Sequence, residues 1–167
     1  MKKIELDQLS FDALTKTHRE LAVLAAGEPE HFNMMTIGWA TYGTLWREPV
    51  TTVYVRHSRY THEFTEQYDR FTVTFLKPGH EKLLGTTLGR QSGRDIDKMH
   101  DSGLTPVFVD GAPCFEEAAL TLVCEKVYRG EITEDQFVDQ KPVGQYYADH
   151  DMHTFYVGRV LAAYVAD

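Results

Sequence analysis

The chain has 167 residues, 43% of them hydrophobic, and a formal net charge of −8. That length suits one domain, read as residues 1–167, with enough apolar content for a full core. The acidic balance argues against a broad nucleic-acid surface and against attachment to an anionic membrane.

The first residues, Met1 to Asp7, carry lysines with no apolar run behind them, so no secretory leader is expected. Leu9, Phe11 and Leu14 suggest one face of a short helix. Leu21 to Ala26 is a short apolar run closed by Gly27-Glu28-Pro29-Glu30, and a second β-like run covers Asn33 to Tyr42. Two such runs around a Gly/Pro loop read as a hairpin. Pro49 to Val55 is β-branched and aromatic, hence strand. Ser58 is a candidate N-cap for a helix carrying Phe64 and Tyr68 on one face. Arg70 to Leu76 alternates as a half-buried strand, and residues 80–88 form a weak helix.

After a polar loop at 89–94, Asp95 to His100 reads as a helical turn ended by Gly103. Val107 to Val109 is a short strand closed by Asp110-Gly111. Glu117 to Tyr128 and Phe155 to Val165 are long β-like runs. Cys114 and Cys124 are read as lying on one continuous strand, too far apart to bridge, and as reduced thiols of a cytoplasmic protein. No stretch approaches the roughly 20 apolar residues of a membrane span. The pattern predicts a mainly β fold: an antiparallel sheet closed into a small barrel, with a few peripheral helices.

Four segments could carry chemistry. Arg56-His57-Ser58-Arg59-Tyr60-Thr61 follows a strand and opens a helix, so it is either a phosphate seat or an N-cap with solvated arginines. Ser92-Gly93-Arg94-Asp95-x-Asp97-Lys98 places two cations four apart beside a glycine that permits close backbone approach. It is either an anion site or a self-neutralised surface turn. Asn33 to Thr41, rich in Thr, Gly and Ala, could meet a flat ligand with exposed backbone or simply pack a barrel. His150-Asp151-Met152-His153 invites a metal reading, but histidines three apart at a strand entry face opposite ways, and no metal site is expected. Neither a GxxxxGK[ST] loop, a GxGxxG loop nor a GxSxG elbow is present.

The ordered set resembles the flavin reductase-like, FMN-binding split β-barrel family, which includes flavoredoxin-like proteins. The match is carried by Asn33-Met34-Met35-Thr36-Ile37-Gly38-Trp39, by Val55 to Thr61, by Ser92 to Lys98, by Gly103 to Pro106 and by His153-x-x-Tyr156-Val157-Gly158. Arg159 stands where this group often has Glu. The resemblance implies an antiparallel split barrel of Greek-key type, paired as a homodimer, with FMN (FAD less favoured) near the interface. It implies that Met35, Thr36, Ile37, Gly38 and Trp39 lie along the isoalloxazine. It implies that Ser58, Arg59, Tyr60, Thr61, Ser92, Arg94 and Lys98 hold the ribityl phosphate, with Arg56 and Gly93 among the cofactor-binding residues. His153 and Tyr156 come close to the flavin.

The function implied is FMN-dependent oxidoreduction with NADH or NADPH as donor and a small-molecule or protein acceptor. The alternatives are a flavoredoxin-like electron carrier or flavin-binding module serving a protein redox partner, without a nicotinamide site, and a dimeric barrel using a different ligand or none. The hydride chemistry belongs to the cofactor, so no catalytic acid or base needs to show in the sequence.

Overall fold

The computed structural model describes residues Met1–Asp167. Its strands are β1 (Lys2–Ile4), β2 (Ala22–Glu28), β3 (His31–Ile37), β4 (Ala40–Leu45), β5 (Glu48–Arg56), β6 (Arg70–Leu76), β7 (Pro106–Val109), β8 (Ala112–Phe115), β9 (Ala118–Glu131) and β10 (His153–Val165). The helices are α1 (Lys16–Arg19), α2 (Tyr60–Gln67), α3 (Glu81–Gly85), α4 (Thr87–Arg90), α5 (Lys98–Ser102) and α6 (Lys141–Tyr146). None is long and apolar enough to cross a membrane.

Seven strands run in the order β3-β2-β6-β9-β10-β5-β4, every pairing antiparallel, with β1 added alongside β10. The sheet curls until β3 approaches β5, yet β3 bonds to β2 alone. This is a split barrel, and the split borders the candidate site.

Strand β2 shows why the sequence does this. Its residues from Ala22 to Gly27 are buried on both faces, so the strand reads as a continuous apolar run. Ala22, Leu24 and Ala26 point into the barrel with Val53, Val55, Phe71, Val73, Leu122 and Tyr156. Val23 and Ala25 point outward, under Leu84, Leu88, Leu104 and Phe115. Helix α2 buries Phe64 in the barrel cluster and packs against β2 and β3. Buried hydroxyls find partners: Thr74 and Thr121 lie 3.0 Å apart, and Thr72 donates to the Pro113 carbonyl at 2.6 Å.

Several boundaries differ from the sequence reading. The run Asn33 to Tyr42 is two strands, broken at Gly38-Trp39, because β3 and β4 lie at opposite ends of the strand order. The N-terminal stretch turns into the core through Leu6, Leu9 and Phe11, while Leu14 is exposed, so those residues share no helix face. Ser58 does not cap α2; Arg59 holds that position without a side-chain cap. Cys114 and Cys124 sit on β8 and β9 respectively, both buried and free. Asp110-Gly111 is the turn of a β7-β8 hairpin, both residues having positive φ, and the break between the cysteines' strands is the turn at Glu116-Glu117.

Candidate functional site

A cleft of about 180 Å³ opens along the split, lined by Met35, Thr36, Ile37, Gly38, Trp39, Tyr54, Arg56, Arg59 and His153. All but Tyr54 are residues singled out from the sequence. The floor is the free edge of β3. Lys98 Nζ takes the Met34 carbonyl at 3.0 Å, on the side away from β2. By strand alternation, Thr36 turns its peptide groups to that same side. The Thr36 hydroxyl ties the edge to α3 through the Leu84 carbonyl at 2.7 Å.

One wall is aromatic. Strand β10 brings His153 opposite Arg56 of β5. The His153 ring lies 4.9 Å from the Trp39 ring and 5.5 Å from that of Tyr147. Trp39 itself remains 39% exposed. His153 is 6% exposed and its Nδ1 is buried without a partner. Burial, reinforced by the Arg56 charge, pushes its pKa down to about 4, so the imidazole is neutral at pH 7.

The other end is cationic. Arg59 donates to the carbonyls of Gly89 at 2.7 Å and Leu88 at 3.1 Å and has no carboxylate partner. Lys98, 5% exposed, donates to the same Leu88 carbonyl at 3.3 Å. Burial, helped by Arg59, pushes the Lys98 pKa down to about 8. A half-buried and a buried cation share one neutral carbonyl with no salt bridge to either, and Asp151, bonded to Ser58, reaches Arg59 only through its field. Such an arrangement favours an incoming anion.

The remaining expected residues are placed elsewhere. Thr61 is buried and accepts from Asn33 Nδ2 at 2.9 Å. Tyr60 packs edge-on against Phe64 and lies under the Arg94 guanidinium, 4.7 Å away. Arg94 pairs with Glu63 of α2 and donates to the Ser58 carbonyl at 3.2 Å, so it braces a surface turn. It shares no helix with Lys98, because the Asp97 carboxylate caps α5, whose first residue is Lys98. Ser92 Oγ accepts the Arg94 amide.

Gly93 does serve close approach, but to Asn33 and Tyr60: a Cβ there would lie 2.5 Å from Asn33 Oδ1. Tyr156 is fully buried on the other face of β10, its hydroxyl donating to Glu66 at 2.6 Å. The reason is period two: residues 153 and 156 of one strand face opposite ways.

A comparison with known domain families matches the chain, over residues 14–167, to the flavin reductase like domain. The chain belongs to the flavin reductase-like family. Solved structures agree with that membership. Flavoredoxin from Methanosarcina acetivorans is 26% identical, with a TM-score of 0.69, over 89% of this chain and 69% of that one. An FMN-binding protein from Thermus thermophilus, solved with 1-cyclohex-2-enone, is 26% identical with a TM-score of 0.65, over 87% and 70%. An FMN-binding domain of a flavin reductases-like enzyme from Shewanella baltica is 20% identical with a TM-score of 0.70, over 98% and 76%. No curated protein sequence matches.

Within this flavin reductase-like chain, the residues fit a flavin phosphate ester on three counts. The floor offers peptide groups on a free strand edge, the wall offers aromatic faces and an unpartnered imidazole, and the far end offers uncompensated positive charge. The sequence reading does not include Tyr54 in the lining, the carbonyls of Leu88 and Gly89, or residues 146–149, and it weighs Asp151 only as a metal ligand. A clue to that segment was Pro142, which suits the first turn of α6.

Proposed function

We propose that this protein binds FMN in the β3 cleft and passes electrons through it, taking them from NADH or NADPH and delivering them to a small-molecule or protein acceptor. The observation that carries this reading is Arg59, half-buried in the cleft lining with no salt bridge, backed by the buried Lys98 on the same Leu88 carbonyl. FMN, when bound, supplies the two-electron chemistry. The chain's part is to seat the phosphate at Arg59, hold the ring along Thr36 to Trp39 and keep His153 neutral beside it.

A homodimer belongs to the same proposal. The cleft, at about 180 Å³, is smaller than the roughly 300–1,000 Å³ of small-molecule sites, so a second wall is needed. Tyr54 in the lining continues into an aromatic row on the outer sheet face: Tyr54 to Phe155 at 6.3 Å, Phe155 to Tyr128 at 6.1 Å, Tyr128 to Trp46 at 6.3 Å. Trp46 is 58% exposed and Tyr128 52%. A two-fold copy laid on this row would cover both the row and the cleft mouth.

The test is an absorbance spectrum of the purified protein, with FMN titration of the apo form, followed by anaerobic mixing with NADH and NADPH. Oxidised-flavin bands that bleach with either nucleotide support the enzyme. Bands that persist with both point to the electron carrier, and absence of FMN binding overturns the reading. Sedimentation of a flavin-loaded monomer would remove the dimer from it.

A further inference from the structure

The His150–Met152 segment holds no metal-like cluster; it delivers a carboxylate to the entry of α2. Asp151 Oδ1 accepts the Ser58 amide at 3.1 Å and Oδ2 accepts the Ser58 hydroxyl at 2.6 Å. The Arg56 guanidinium lies 3.7 Å from Oδ2, donates to the Asp151 carbonyl at 2.9 Å and meets Asp149 at 3.3 Å. A third donation, to the Tyr146 carbonyl at 2.6 Å, completes its engagement. Ser58 and Arg56, two of the groups that read from sequence as a phosphate seat, are therefore already holding anions of the protein itself. Arg59 is the cleft-lining cation that is not.

We propose that Asp151 is a specificity-determining residue of the flavin site: by occupying Ser58 and Arg56 it confines ligand phosphate to Arg59, so the cleft takes a terminal monophosphate over a pyrophosphate-linked dinucleotide. The proposal rests on the flavin reading above. A carboxylate with charge-assisted bonds from both groups of Ser58 and an adjacent guanidinium is costly to displace, because displacement leaves it half-buried and unpaired. A terminal phosphate concentrates its charge at one centre and needs one cationic end. A pyrophosphate spreads its charge over two centres. Its second phosphate, running on from Arg59 past Arg56, would meet Asp149 and Asp151 as like charges.

The experiment measures dissociation constants for FMN, FAD and riboflavin by flavin fluorescence, with melting curves of each apo-protein. The variants are Asp151→Asn, which keeps the shape and an acceptor but removes the charge, and Ser58→Ala. Wild type is expected to bind FMN at least tenfold more tightly than FAD. Asp151→Asn is expected to narrow that ratio at least fivefold, since Ser58 and Arg56 become available to a second phosphate. Ser58→Ala is expected to leave FMN affinity within twofold.

An unchanged ratio in a folded Asp151→Asn protein overturns the proposal. So does a tenfold loss of FMN affinity in Ser58→Ala, which would put the phosphate on Ser58. If Asp151→Asn does not fold, Ser58→Ala decides alone. Wild type binding neither flavin sinks the parent reading, an outcome distinct from flavins binding equally well.

Discussion

Arg59 and Lys98 meet at one oxygen: both donate to the carbonyl of Leu88, at 3.1 and 3.3 Å, and neither forms a salt bridge. A peptide carbonyl carries only a partial charge and cannot neutralise two cations. The folded chain therefore holds a stored preference for an anion at this spot, and its size is measurable.

Arg59→Ala is expected to weaken FMN binding by about 1.5–3 kcal/mol, roughly ten- to a hundredfold, the contribution of charged hydrogen bonds. Arg59→Lys should recover part of this, since an ammonium cannot hold two carbonyls and a phosphate in one planar fork. Fluorescence titration gives the affinity, and apo melting temperature controls for folding.

Lys98 makes apo stability depend on alkaline pH. Its folded pKa, about 8, lies below its unfolded value of about 10.4. The unfolded chain binds the proton more tightly in that window, so stability rises as pH goes from 8 to 10.5 and is lost again on the way down. The full rise is on the order of 3 kcal/mol. Lys98→Met should lack it, and bound FMN should flatten it in wild type by drawing the amine back to its charged form. Melts at pH 7.5 and 10 compare the three.

His153 gives the acidic counterpart. Its pKa falls from about 6.5 unfolded to about 4 folded, so the stability it allows is complete above pH 6.5 and declines as pH drops toward 4. His153→Phe should remove that slope. In wild type the His153 ring resonances should stay constant between pH 5.5 and 8, within the range where ordinary histidines titrate.

Arg94→Ala should change stability by less than about 1 kcal/mol and leave FMN affinity unaltered, because Arg94 is committed to an exposed pair with Glu63. Tyr156→Phe should cost about 0.5–1.5 kcal/mol of stability through the lost bond to Glu66, again with affinity unaltered. A tenfold loss of affinity in either folded variant would return that residue to the site.

The sequence displays the strands well because most alternate or run apolar: Arg70–Leu76 has the same bounds in the structure. It displays the cleft floor, Met35 to Trp39, through its small and polar composition. What it hides is facing. The alternation that separates His150 from His153 also separates His153 from Tyr156, and a motif written as letters does not say so. Lys98 and Arg94 read as a helical pair because nothing in their spacing marks Asp97 as the cap that starts α5 between them. The Asp110-Gly111 turn announces a hairpin whose return strand, β8, contains Pro113 and is four residues long. Contacts such as the Ser58 hydrogen bond and the Arg56 ion pair to Asp151 join positions 93 and 95 apart and leave no local trace.

The split in the barrel has a colloidal consequence. Strand β3 has a seven-residue edge with no neighbouring strand, and an open edge is a template for a strand from another molecule. Lys98 blunts it at Met34, in the manner of a lysine guarding a sheet border. Beyond that point the peptide groups that would greet a heterocycle are the same ones that would zip onto a second chain. Cofactor and self-association thus compete for one set of atoms. On the proposed flavin reading, flavin supply during expression is expected to raise the share of this protein that stays in solution.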